Sequence, residues 1–116
     1  MYWSVVPPLL SIPDALAEIR TAKENGAVAV LMRPVEGNRL LVDPYFYPIY
    51  EEAERLDMAI TVHIANGNPW LCDVWRSPYD QSVPFSLFRM PTVAACLALI
   101  MSEIPQTFQR LRWGFI

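Results

Sequence analysis

The run from Ala27 to Met32, Ala-Val-Ala-Val-Leu-Met, is continuously apolar and shows no polar alternation. A strand with one face in water alternates every second residue. An unbroken run of this length is instead expected where both faces are covered, as in a parallel sheet flanked by helices. Gly26 suits the left-handed position past a helix end, and Arg33-Pro34 closes the strand. This segment therefore predicts an α/β fold, because parallel neighbours can be joined only by crossover connections.

The flanking sequence supplies those crossovers. Trp3 to Val6 has strand character and stops at Pro7-Pro8. Ser11 followed by Asp14 resembles a helix-opening box. With Ala15, Leu16, Ile19 and Ala22 on one face, the spacing predicts a helix over 12–25. Residues 35–39 read as a loop, after which Asp43-Pro44 opens a second helix. Phe46, Ile49, Tyr50, Ala53 and Leu56 share its inner face, and Glu51, Glu52 and Arg55 point to water. A tight connection through Asp57-Met58 leads to a third strand, Ala59 to Ile64, rich in β-branched residues.

Residues 65–89 carry scattered prolines and aromatics and predict a long irregular segment of functional or covering type. A third helix is predicted from Pro91 to Glu103, apolar nearly all round and so either buried on more than one side or facing a partner, with Pro105 ending it. Leu111 to Ile116 reads as a fourth strand. The order β-α-β-α-β-α-β implies parallel strands with right-handed crossovers, half of an eight-stranded barrel or a small open sheet.

A chain of 116 residues fits one domain, or part of one, over 1–116. Its 53% hydrophobic content excludes a disordered chain, and the excess fits a piece of something larger, whose contact faces look apolar in isolation. A net charge of -3 with no basic run argues against nucleic acid as partner. The longest apolar stretch, Val93 to Met101, is far short of the roughly 20 residues a membrane span needs. The N-terminus lacks a charged leader, so a cytoplasmic location is expected. Cys72 and Cys96 form no zinc-ribbon spacing and are expected to be reduced, Cys96 as a small core residue.

Few residues can carry chemistry. His63 is the only histidine, near the C-terminal end of a predicted core strand, where ligands and metals gather in parallel α/β folds. It is a candidate metal ligand or, more simply, a hydrogen-bonded core histidine. Arg33 occupies the same end of the preceding strand. It could bind a substrate carboxylate or pair with Glu36 or Asp43 to fix the loop. Asn66 could donate to a substrate oxygen or, beside Gly67, form a turn. Trp70, Trp75, Tyr79, Phe85 and Phe88 could wall an active site or cover a core edge. A catalytic zinc commonly takes three protein ligands, and no such set is visible; nor is a nucleophile elbow, a phosphate loop or a dinucleotide fingerprint.

Three segments together carry a resemblance: Gly26 to Arg33, Leu41 to Ala53 with its Asp43-Pro44 opening, and Leu56 to His63. The chain resembles the amidohydrolase-related proteins, the group that includes the aminocarboxymuconate-semialdehyde decarboxylase type, and Leu111 to Ile116 looks like the following strand of such a barrel. The resemblance implies a partial (β/α)8 barrel with about four parallel strands and three helices. It also implies a divalent metal, usually zinc, at the C-terminal ends of the strands. Expected reactions are hydrolysis of cyclic or amide-like bonds and non-oxidative decarboxylation of small organic acids. His63 matches the family's histidine on the fifth strand. The paired histidines of the first strand and the aspartate of the eighth are absent, so the chain is expected to be the central portion of a longer enzyme, inactive alone. The alternative is a non-catalytic α/β module that forms a homodimer through its apolar third helix.

Overall fold

Residues 1–64 and 88–116 are described by a computed structural model of the chain. Strand β1 (Trp3–Val5) is followed by helix α1 (Ile12–Glu24) and strand β2 (Ala27–Met32). A small hairpin follows, β3 (Val35–Glu36) and β4 (Arg39–Leu40), then a 3-10 turn over Pro44–Phe46, helix α2 (Tyr47–Arg55) and strand β5 (Ala59–Val62). Helix α3 (Met90–Met101), short helix α4 (Ile104–Thr107) and strand β6 (Trp113–Phe115) complete the described chain. The main sheet has the order β1-β2-β5-β6, and each neighbouring pair is parallel. These are the predicted strands and crossovers, arranged as a partial (β/α)8 barrel.

Register and the two-residue side-chain period divide the sheet into two faces. Val30 and Met32 pair with Ile60 and Val62, and Ile60 with Trp113. Val5, Val30, Met32, Ile60 and Val62 join one apolar core with Ala15 and Ile19 of α1, Ile49, Tyr50 and Ala53 of α2, and Ala95 and Leu99 of α3. The opposite face carries Ser4, Ala29, Leu31, Ala59, Thr61 and Gly114, again in matched rows. An open cavity of about 540 Å³ lies over Ser4, Ala29, Ala59 and Thr61. The apolar run of β2 is thus covered by helices on one side only among the described residues, and its other side has the small, mixed side chains of a barrel interior. Val28 is half-exposed where the ladder with β1 slips between Trp3 and Ser4.

The helix boundaries depart from the sequence reading in instructive ways. Ser11 Oγ donates to Asp14 Oδ2 at 2.6 Å instead of capping a backbone N–H. Asp43 Oδ1 accepts from Tyr45 N at 2.8 Å, so the Asp-Pro signal starts the 3-10 turn, and α2 proper begins at Tyr47. Residues 35–39, expected to be a loop, fall within the β3–β4 hairpin that runs to Leu40, with Gly37 at φ 60° in its turn. Helix α3 ends at Met101, before Pro105, which instead enters the first turn of α4. One face of α3 (Ala95, Leu99) is buried, whereas Val93, Leu97, Ile100 and Met101 are exposed.

Glu52 corrects the expectation of an outward-facing residue: it is only 7% exposed. Its Oε1 accepts from Arg20 Nε of α1 at 2.7 Å and from Arg55 Nη2 at 2.6 Å, and its Oε2 accepts from Arg55 Nε at 2.9 Å. Two guanidinium groups replace the water the carboxylate loses, so burial is tolerated and α1 is tied to α2. The hydrogen bond from Arg55, and then that from Arg20, hold the Glu52 carboxyl down to about 2. Tyr50 anchors a different side of α2: Phe108 and Trp113 pack edge-on at 5.9 and 5.0 Å, and its hydroxyl donates to the carbonyl of Leu41.

A folded-state pKa below the ordinary 4.5 makes Glu52 stabilising above that value, and the contribution is lost as pH falls toward about 2. Glu52→Gln should lower stability by about 1–2 kcal/mol at neutral pH, between the values for exposed and for desolvated charge-assisted bonds. Urea unfolding at stepped pH should show the gap between the two proteins closing on acidification. Tyr50→Phe should cost about 1–3 kcal/mol by leaving the Leu41 carbonyl unsatisfied, read from the same unfolding curves.

Candidate active site at the C-terminal rim of the sheet

Parallel pairing delivers the candidate residues to one edge. Met32 and Val62 are register partners, and the ladder runs one step further, with His63 N donating to the Met32 carbonyl at 2.9 Å. Arg33 and His63 therefore occupy adjacent positions at the C-terminal ends of neighbouring strands. By the two-residue period both continue the open face: Arg33 follows Ala29 and Leu31, and His63 follows Ala59 and Thr61. A cavity of about 620 Å³ opens there, lined by Arg33, Glu36, His63, Ile64, Leu31 and the 6–11 connection after β1.

Each wall has a local cause. The 6–11 connection is turned by hydrogen bonds from Leu9 N to the Pro7 carbonyl and from Ser11 N to the Pro8 carbonyl, both 2.9 Å. Tyr45 Oη donates to the Leu10 carbonyl at 2.7 Å, and a Cβ placed on Gly37 would lie 3.5 Å from the Leu10 side chain. Arg39 sits 4.4 Å over the Tyr45 ring and pairs with Asp43 at 3.0 Å, which braces the hairpin against the same tyrosine.

Inside the cavity, Glu36 is 5% exposed. Its Oε1 accepts from the backbone N of Arg33 at 2.9 Å, and its Oε2 accepts from Arg33 Nε and Nη2 at 3.1 and 2.6 Å. This hydrogen-bonded pairing raises the Arg33 pKa further, so the guanidinium stays charged. His63 is exposed, and its Nδ1 lies 2.6 Å from the Ile64 carbonyl. A carbonyl oxygen can only accept, so Nδ1 carries the proton and the Nε2 lone pair is left for a metal or a proton.

That geometry fits His63 as one metal ligand. Among the described residues there is no group of three His, Cys, Asp or Glu side chains that could complete the coordination. Arg33 lines the cavity and makes the pairing with Glu36, while Asp43 pairs with Arg39 instead. Asn66, Cys72, Trp70, Trp75, Tyr79 and Phe85 lie outside the described residues. Phe88 is half-buried, with its carbonyl accepting from Thr92 Oγ1 at 3.3 Å at the start of α3. Cys96 is a half-buried free thiol on α3. Sequence reasoning gave Glu36 no role beyond pairing with Arg33 and passed over the 6–11 wall. The Gly37-Asn38 pair between Val35-Glu36 and Arg39-Leu40 is the hairpin signal that would have fixed the position of Glu36.

A family profile described as amidohydrolase matches residues 2–115. No curated protein matches the chain. Among solved structures, the apo form of IDCase from Metarhizium anisopliae superposes with a TM-score of 0.78 at 22% identity, over 98% of this chain and 31% of that one. A Staphylococcus aureus protein described as an amidohydrolase gives 0.78 at 18% identity, over 94% and 38% of the two chains. A further structure described as amidohydrolase II gives 0.68 at 16% identity, over 95% and 35%. At these identities the likeness carries the fold, and the chain spans about a third of the length of those proteins. With a profile that runs from β1 to β6 and four parallel strands presenting His63 at their C-terminal rim, the chain belongs to the amidohydrolase family.

Proposed function

We propose that this chain forms the central portion of a metal-dependent amidohydrolase-type enzyme acting on a small organic acid or a cyclic or amide-like substrate, by hydrolysis or non-oxidative decarboxylation. The observation that carries this reading is the placement of His63 beside Arg33 on the open face, with the Nε2 lone pair of the imidazole left free. The family is generally metal-dependent. A bound divalent ion, zinc in this reading, supplies Lewis-acid polarisation or a more acidic water. His63 is one ligand through Nε2, its ring held by the Ile64 carbonyl. Arg33 orients the acid group of the substrate, and Asn66, three residues beyond His63 in sequence, donates to a substrate oxygen.

A second reading has one specific observation behind it. The exposed Val93, Leu97, Ile100 and Met101 face of α3 fits a module that self-associates as a homodimer. A defined dimer in size-exclusion chromatography that Leu97→Glu dissociates supports it; a monomer eliminates it.

With one donor, zinc should bind the chain weakly and leave readily. Zinc titration followed by ¹⁵N resonances of the imidazole should move the His63 Nε2 signal in the wild type and leave nothing to move in His63→Ala. No hydrolysis or decarboxylation should rise above background in either protein. An Nε2 signal indifferent to zinc removes the ligand assignment, and turnover by this chain that depends on His63 removes the incomplete-site reading.

A further inference from the structure

We propose that Glu36 is a positioning residue for Arg33, holding one edge of the guanidinium so that the other edge is presented to the carboxylate of an amphipathic organic acid. This inference rests on the reading of the rim cavity as the substrate site.

An arginine side chain offers two forks of parallel N–H groups, a side-on fork from Nε and Nη2 and an end-on fork from Nη1 and Nη2. In this structure Glu36 Oε2 takes the whole side-on fork, at 3.1 and 2.6 Å, while Oε1 is fixed by the backbone N of Arg33 itself. The carboxylate is thus immobilised at both oxygens. Its side chain is 7% exposed against 52% for that of Arg33, so the buried partner is the fixed one and, of the two groups lining the cavity, the arginine has the surface to offer a ligand. A ligand carboxylate must therefore approach end-on.

The rest of the cavity sets the body of the ligand. Val6, Pro7, Leu10 and Leu31 give apolar walls, and the volume of about 620 Å³ lies within the range of small-molecule sites. The chemistry matches a planar or short apolar body with one carboxylate at the arginine end. The formal charge of Glu36 opposes an incoming anion, so its contribution is geometric: it lowers the entropy lost when the guanidinium is ordered by ligand.

This gives a test with opposite signs for the two possible roles. Benzoate, with benzamide as the neutral control, is titrated against the metal-free chain in the presence of a chelator and followed by the aromatic proton resonances of the small molecule itself, a signal common to every variant. Wild type should bind benzoate and not benzamide. Glu36→Gln should bind benzoate about tenfold more weakly, as expected for loss of one well-formed interaction, even though a negative charge has been removed. Glu36→Asp should recover part of the loss. If Glu36 were only a structural ion-pair partner, Glu36→Gln would bind equally or more tightly, and that result overturns the proposal. So does wild type that fails to distinguish benzoate from benzamide. Should Glu36→Gln not fold, Arg33→Lys, which keeps the charge and loses the fork, should show the same fall in benzoate affinity; unchanged affinity there also overturns it. Because no metal is present, failure here with the zinc response of His63 intact removes this inference alone, and the converse removes the metal reading alone.

Discussion

The pairing of β2 with β5 is the constraint on which the rest depends. Four registered positions, Ala29 to Met32 against Ala59 to Val62, fix which side chains face the helices and which face the cavities. A slip of β2 by one residue would move Val30 and Met32 out of the core and Arg33 into it, and a slip of β5 would do the same with Ile60, Val62 and His63. Burial of those four apolar side chains opposes the slip, and so the same term that stabilises the sheet places the candidate chemistry at its rim.

The helices hold this register from one side. Glu52 links α2 to α1 through Arg20, with Arg55 of its own helix completing the cluster, and Tyr50 links α2 to Trp113 of β6 and Phe108 after α4. These contacts join elements distant in sequence and hold the helix layer against the sheet. The opposite face has the small residues that a barrel needs inside, where side chains from alternate strands share a confined space.

Much of this was legible in the sequence. The apolar run of β2, the Gly26 turn and the i, i+3, i+4 spacing of Phe46, Ile49, Tyr50 and Ala53 each encode a local preference that the fold respects. The position of His63 at a strand end followed from the same pattern. What the sequence concealed were long-range pairings: Glu52 looked like an outward helix residue until Arg20, 32 positions earlier, was brought against it. Glu36 was equally hidden, since a two-residue strand pair carries too little periodicity to be recognised without its turn. The resemblance to amidohydrolases rested on order and spacing, and those are the properties that the family profile and the shared fold also reflect.

The two ends of the sheet are built differently. On the side where strands begin, the chain passes through single left-handed residues, Gly26 at φ 87° and Asp57 at φ 51°, the latter clasped by Arg112 at 2.7 Å. On the side where strands end, it makes longer excursions over 6–11 and 33–43 before the next helix begins. Mutational drift in the upper excursions can then alter ligand preference while the floor preserves the framework, an arrangement that lets one scaffold diversify its chemistry without relearning how to fold.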